Sequence, residues 1–254
     1  MIQPLQIGID SPARKVPAKE REVPAPVDRF SPAPPAIAFE RILRIQGYSD
    51  LTKVRPVIRG AAEQMAALAA KLSEPRVAYR QVAVRSIDGA VLEVEGGARM
   101  HCQAFGPQLA GCTQVVPFVL TLGAAIPRQV LELIDRGDLL EGLLMETAAW
   151  LAIEDATRQF KTRLRAESLA RGMRITSRMG PGYSYKVGGR MHEWRLEEHP
   201  VLFSLFGEAE LPVTLMGSCA MSPKMSRSGL YGIAPEAPAP RNARNGARTD
   251  TEST

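Results

Sequence analysis

Polar and apolar positions fall into regular periods between residues 37 and 233 and lose them on either side. "FERILRIQGY", residues 39–48, has the spacing of a short helix, which Gly47 ends. "PVIRGAAEQMAALAAKL", residues 56–72, is an alanine-rich helix closed by "SEPR". From Tyr79 to Cys102 polar and apolar residues alternate around Asp88-Gly89, the pattern of two strands joined by a tight turn. "TQVVPFVLTLG" is apolar throughout and of strand length, which predicts a strand covered on both faces. A long helical stretch follows, opening near Ala125 or Gly137 and closing near Arg171. "LEEHPVLFSLF" predicts a further short helix and "LPVTLMG" a further strand. Helices and strands mix without regular alternation and no internal repeat is visible, so the pattern predicts an α+β fold rather than a doubly wound sheet.

Residues 1–36 carry repeated prolines and no apolar period, which predicts a Pro-rich flexible arm. Residues 234–254 are small and polar with no aromatic residue, which predicts a disordered tail. The folded unit expected between them is a single domain over 37–233.

Charge changes the picture on the long helix. At 100° per residue, Leu143, Leu144, Ala148, Leu151 and Ala152 share one side, a core-facing stripe. Glu146 falls on the opposite, solvated side, whereas Glu154 falls inside the stripe. A carboxylate aimed inward needs a partner, because an unpaired buried charge is very costly. Arg158, four residues on, is one candidate; an ammonium group on a ligand is the other.

The 254 residues are 45% hydrophobic and 23% charged, enough for a sizeable core. No apolar run reaches bilayer-spanning length and the first residues lack a secretory pattern, so the expected location is cytoplasmic, with no membrane partner. Cys102, Cys112 and Cys219 form no close pair, which fits a reducing compartment. His101 with Cys102 and Cys112, and the pair His192 and His199, lack the spacing of a metal site, and none is expected. The net charge of +5 is spread along the chain. "PKMSRSG", residues 223–229, reads as a solvated turn, so no nucleic-acid partner is expected. No acid–base pair or nucleophile triad stands out, and no catalytic residue is assigned.

"SRMGPGYSY", residues 177–185, concentrates a different chemistry. Gly180 and Gly182 let backbone approach a ligand closely. Pro181 stiffens the loop, Arg178 can grip a carboxylate through two hydrogen bonds, and Tyr183 offers a flat face and a hydroxyl. That set suits a zwitterionic amino acid bearing an aromatic base; a plain Gly-Pro turn with an incidental arginine is the alternative.

"RMGPGY", "EWRLEEHPVLFSLF", "LPVTLMGSCAMSP" and "KMSRSGLYGI", with "ERILRIQGY", "SEPRVAY" and "VVPFVLTLGAAI" upstream, resemble the S-adenosylmethionine-binding activation domain of cobalamin (vitamin B12)-dependent methionine synthase. They are closer still to the small stand-alone proteins of that superfamily. The resemblance implies a helmet-like domain with a bent antiparallel sheet flanked by helices. It implies S-adenosylmethionine contacts at Arg178, Gly180, Gly182 and Tyr183, and at Glu154, with Glu146 the second choice. It also implies reductive methylation of cob(II)alamin carried by a separate corrinoid-binding methyltransferase protein, with a flavodoxin- or ferredoxin-type electron donor. A docking module for a corrinoid protein that does not use S-adenosylmethionine is the alternative. Three departures bear on it. The family's Cys-Pro-x-His stretch is replaced by "SYKVGGRMHEWR", its Leu-Thr-Glu-Ser by Leu215-Met216-Gly217-Ser218, and its C-terminal aromatic segment has no counterpart after Ile233.

Overall fold

A computed structural model of the chain describes residues 26–236. In chain order the strands are β1 (Asp28–Phe30), β2 (Arg76–Tyr79), β3 (Val82–Asp88), β4 (Val91–Val94), β5 (Arg99–His101), β6 (Gln114–Thr121), β7 (Met173–Ile175), β8 (Tyr183–Val187), β9 (Arg190–Trp194), β10 (Thr214–Leu215), β11 (Met221–Ser222) and β12 (Ser226–Pro235). The helices are α1 (Phe39–Ile45), α2 (Pro56–Leu72), α3 (Phe105–Gln108), α4 (Ala125–Asp135), α5 (Leu139–Leu169) and α6 (His199–Ser204).

The fold is α+β, a curled antiparallel half-barrel flanked by helices. Its axis is β6. One edge of β6 pairs with β2 and then β3, the other along its whole length with Ser226–Ile233 of β12. Outward from these lie β1 beside β2, β4 and β5 beyond β3, and β7 beside β12.

Two cores explain why β6 is apolar without a break. Val116, Phe118 and Leu120 face α1, α2, α4 and α5, in a core that also holds Tyr231 and Ile233 of β12. Val115 faces the opposite core with Phe105, Trp194, Leu202 and Leu230. Phe160 of α5 packs against Tyr79 at 5.0 Å, Phe118 at 5.3 Å and Tyr231 at 6.1 Å between ring centroids. Such pairs add about 0.5–1.5 kcal/mol each beyond their buried area.

Several expectations are revised. Gly137, at φ 82°, splits the long helical stretch into α4 and α5. The strand expected in "LPVTLMG" shrinks to two residues, Thr214–Leu215, paired with β11. Part of the segment expected as a flexible arm is built into the sheet, since Asp28–Phe30 pairs with Val77–Tyr79. At the other end β12 runs to Pro235, and Ala234, assigned to the tail, is buried. The rest of both segments, 1–25 and 237–254, lies outside the described residues. On α5, Leu143 is exposed although it shares the predicted stripe, and Trp150, one turn before Glu154, is half exposed. Among the described residues no helix is long and apolar enough to cross a membrane.

Candidate functional site

Alternation along β12 sets the site. Odd-numbered positions face α5 and even-numbered ones face α6, because successive strand residues point to opposite sides. Arg227 therefore enters the α5 side, where it is 8% exposed. Its Nη2 donates to Glu154 Oε1 at 2.5 Å and its Nη1 to Thr157 Oγ1 at 3.2 Å. The hydrogen bond from Arg227 holds the Glu154 carboxyl below its ordinary range against burial, and the charges of Arg227, Arg178 and Arg41 add to that. Burial works against the Arg227 charge, and Glu154 with Tyr183 more than restores it.

Glu154 is thus partnered across 73 residues, not by Arg158. Arg158 instead pairs with Asp155, a buried carboxylate that also accepts from Gln159. Glu146 departs from its expected solvated isolation: it pairs with Lys224, so both helix glutamates turn toward the 224–227 segment. The supposed solvated turn 223–229 is mostly the start of β12.

The loop from Ser177 to Gly182 crosses the same strand. Met179 N donates to Leu230 O at 2.9 Å, and Leu230 N returns a bond to Met179 O at 2.7 Å. Gly229, at φ 149°, makes that crossing possible: a Cβ there would lie 2.1 Å from Met179 O. A Cβ on Gly180 would lie 2.9 Å from Ser228 O and 3.0 Å from Arg178 Nη1. Both Gly180 backbone groups bond to Tyr185, its N–H donating to Oη at 2.6 Å and its carbonyl accepting from Oη at 3.2 Å. Gly182, at φ 81°, donates to Trp194 O at 2.6 Å. The Arg178 guanidinium lies over the Tyr183 ring, 4.4 Å from its centroid, and reaches Ser228 O at 3.4 Å. Tyr183 is 43% exposed.

Arg178, Gly182 and Tyr183 therefore share one surface, Gly180 lies buried beneath it against β12, and Arg227 brings Glu154 toward it. Glu154 Oε2 carries no bond among the described residues, while Oε1 is fixed. The sequence reading missed Arg227, and its signal was faint: an arginine between two serines, ahead of an apolar run.

On the other face of β12, Ser228 Oγ lies 2.7 Å from His199 Nε2, and His199 Nδ1 lies 2.8 Å from Cys219 O. A carbonyl only accepts, so Nδ1 carries the proton and Nε2 accepts from Ser228. Burial lowers the His199 pKa. The folded state then binds fewer protons than the unfolded chain, so this contribution is whole above the unfolded value near 6.5 and is lost as pH falls below it. Melting temperature is expected to drop between about pH 6.5 and 5, and the drop is expected to shrink in His199→Gln. An unchanged pH profile in that variant would refute the assignment.

Among the described residues no group of three His, Cys, Asp or Glu side chains is placed to hold a metal ion. No protein-family model matches the sequence, and no curated protein matches it. Among solved structures the fold is similar to the crystal structure of the MetH reactivation domain bound to AdoHcy, with a TM-score of 0.55 and 16% identity. That match covers 85% of this chain and 81% of the other. At this identity the likeness is one of fold.

Proposed function

We propose that the chain binds S-adenosylmethionine and serves as a reactivation subunit for a separate cobalamin-dependent methyltransferase. One observation carries the reading. A cation at Arg178 and a carboxylate oxygen at Glu154 Oε2 stand beside a loop that exposes Gly182 and Tyr183, which is complementary to a zwitterionic amino acid. The fold likeness to a domain crystallised with AdoHcy supports it.

The residues present fit the ligand. Arg178 would take the carboxylate by charge-assisted hydrogen bonds, at the expense of its long contact with Ser228 O. Glu154 Oε2 would take the ammonium, held in aim by Arg227. The small exposed surface of Gly182 would admit the nucleoside, with Tyr183 beside it, while Gly180 lets the loop close on β12. The chemistry supplied is transfer of the sulfonium methyl to a corrinoid after one-electron reduction, with S-adenosylhomocysteine as the leaving group. The corrinoid would be carried by a partner methyltransferase protein and the electron by a flavodoxin- or ferredoxin-type donor. This chain's part is to position the methyl donor, a proximity effect, without acid–base work.

Calorimetric titration of S-adenosylmethionine tests the reading. Saturable binding is expected, weakened by roughly 10- to 100-fold in Arg178→Ala, the size of one or two lost charged hydrogen bonds. Absence of binding at millimolar ligand in folded protein would defeat it. A docking module that does not use S-adenosylmethionine is the second reading. It is favoured by Met216-Gly217, which stand where the family has Thr-Glu, and it predicts corrinoid-partner binding indifferent to Arg178→Ala.

A further inference from the structure

A groove of about 300 Å³ lies away from Glu154, between the C-terminal half of α5 and β7. Lys161 and Arg165 stand on successive turns of α5, and Arg174 of the edge strand β7 lines the same groove. Like charges four residues apart on a helix repel, so this arrangement costs stability unless an anion offsets it. Elsewhere on α5 the chain supplies the anion itself: Arg158 has Asp155 and Arg163 has Glu167. Among the described residues no carboxylate lies within ion-pair distance of Lys161, Arg165 or Arg174. One carboxylate, Glu236, stands on the groove wall, leaving a surplus of two positive charges.

The floor is of another kind. Leu169, Met173 and Ile175 present apolar surface. Thr176 is spent on the backbone, accepting from Gly232 N and donating to Ser177 O. We propose that this groove is a binding site for a phosphate monoester with a compact apolar body. The phosphate, close to a dianion at neutral pH, would meet the three cations, and the organic part would lie on the apolar floor. The volume exceeds what a bare anion fills and sits at the lower end of the small-ligand range. The assignment does not depend on the S-adenosylmethionine reading, because none of the residues named as contacts for that ligand lines the groove.

Phenyl phosphate and inorganic phosphate, titrated separately into the full chain by calorimetry, test it. Saturable phenyl phosphate binding is expected, about tenfold tighter than inorganic phosphate because the ring covers apolar surface. The double variant Arg165→Gln/Arg174→Gln is expected to weaken it by about tenfold or more, with unchanged circular dichroism, since both side chains are exposed. Arg178→Ala is expected to leave it unchanged. Equal affinity for the two probes would overturn the monoester assignment. Absence of saturation at millimolar ligand, or affinity indifferent to the double variant, would overturn the site.

Discussion

Gly229→Ala is expected to lower the melting temperature by roughly 10 °C, corresponding to about 3–4 kcal/mol in a domain of this size. The added Cβ would lie 2.1 Å from Met179 O and 3.1 Å from its carbonyl carbon. Both are backbone atoms, so no rotamer change relieves the overlap. The strand and the loop must separate, which breaks the two hydrogen bonds joining Met179 to Leu230. A φ of 149° adds strain for any residue with a side chain. Gly60→Ala is the control: it lies within α2 at ordinary helical φ with nothing within 4 Å, and is expected to be neutral or to stabilise by up to about 1 kcal/mol. A Gly229→Ala protein melting within about 2 °C of the parent would show that the loop does not cross β12 as described.

The second large effect concerns the ion pair, and it is asymmetric. Glu154→Ala leaves Arg227, 8% exposed at its side chain, with only the neutral groups of Thr157 and Tyr183 as side-chain support. Stranding a buried charge costs about 3–5 kcal/mol, and the lower end applies because the Glu154 side chain is 41% exposed and water can reach the vacated place. Arg227→Met removes the buried charge itself, and the glutamate left behind can hydrate, so about 1 kcal/mol is expected. Urea unfolding of both variants and of the double variant measures the difference, and the double variant is expected to match Arg227→Met. The opposite order would mean that guanidinium packing, rather than the pair, holds this part of β12. The pair's contribution is whole above pH 4.5 and declines as pH falls through the lowered carboxyl pKa.

Local signals in the sequence account for the frame. The alanine-rich run gave α2, the uninterrupted apolar run gave β6, and alternation about Asp88-Gly89 gave the β3–β4 hairpin. The strand β12 was hidden because its composition argues against a central strand: two glycines, a buried arginine and a buried serine. Contacts far along the chain impose those residues. A Cβ on Gly232 would lie 2.5 Å from Cys112 Sγ, and Arg227 answers a glutamate 73 positions away. The β8–β9 hairpin did carry a readable mark, the Gly188-Gly189 turn between alternating segments. Inside the candidate site the loop residues were legible as a motif. The orientation of Glu154 was not, because helix spacing offered Arg158 while a buried aspartate next door claimed it.

The two tryptophans occupy opposite environments, and this makes the protein its own reporter. Trp194 ends β9 with no solvent exposure, edge-on to Phe105 at 5.0 Å, and its carbonyl anchors Gly182. Trp150 stands half in water one helical turn from Glu154. Emission from the first will lie to the blue and resist acrylamide; emission from the second will lie to the red and be quenched. A partner arriving over α5 will alter the red component, while loosening of the β8–β9 hairpin, which Trp194 ends, will alter the blue one, so a single unlabelled sample reports on both.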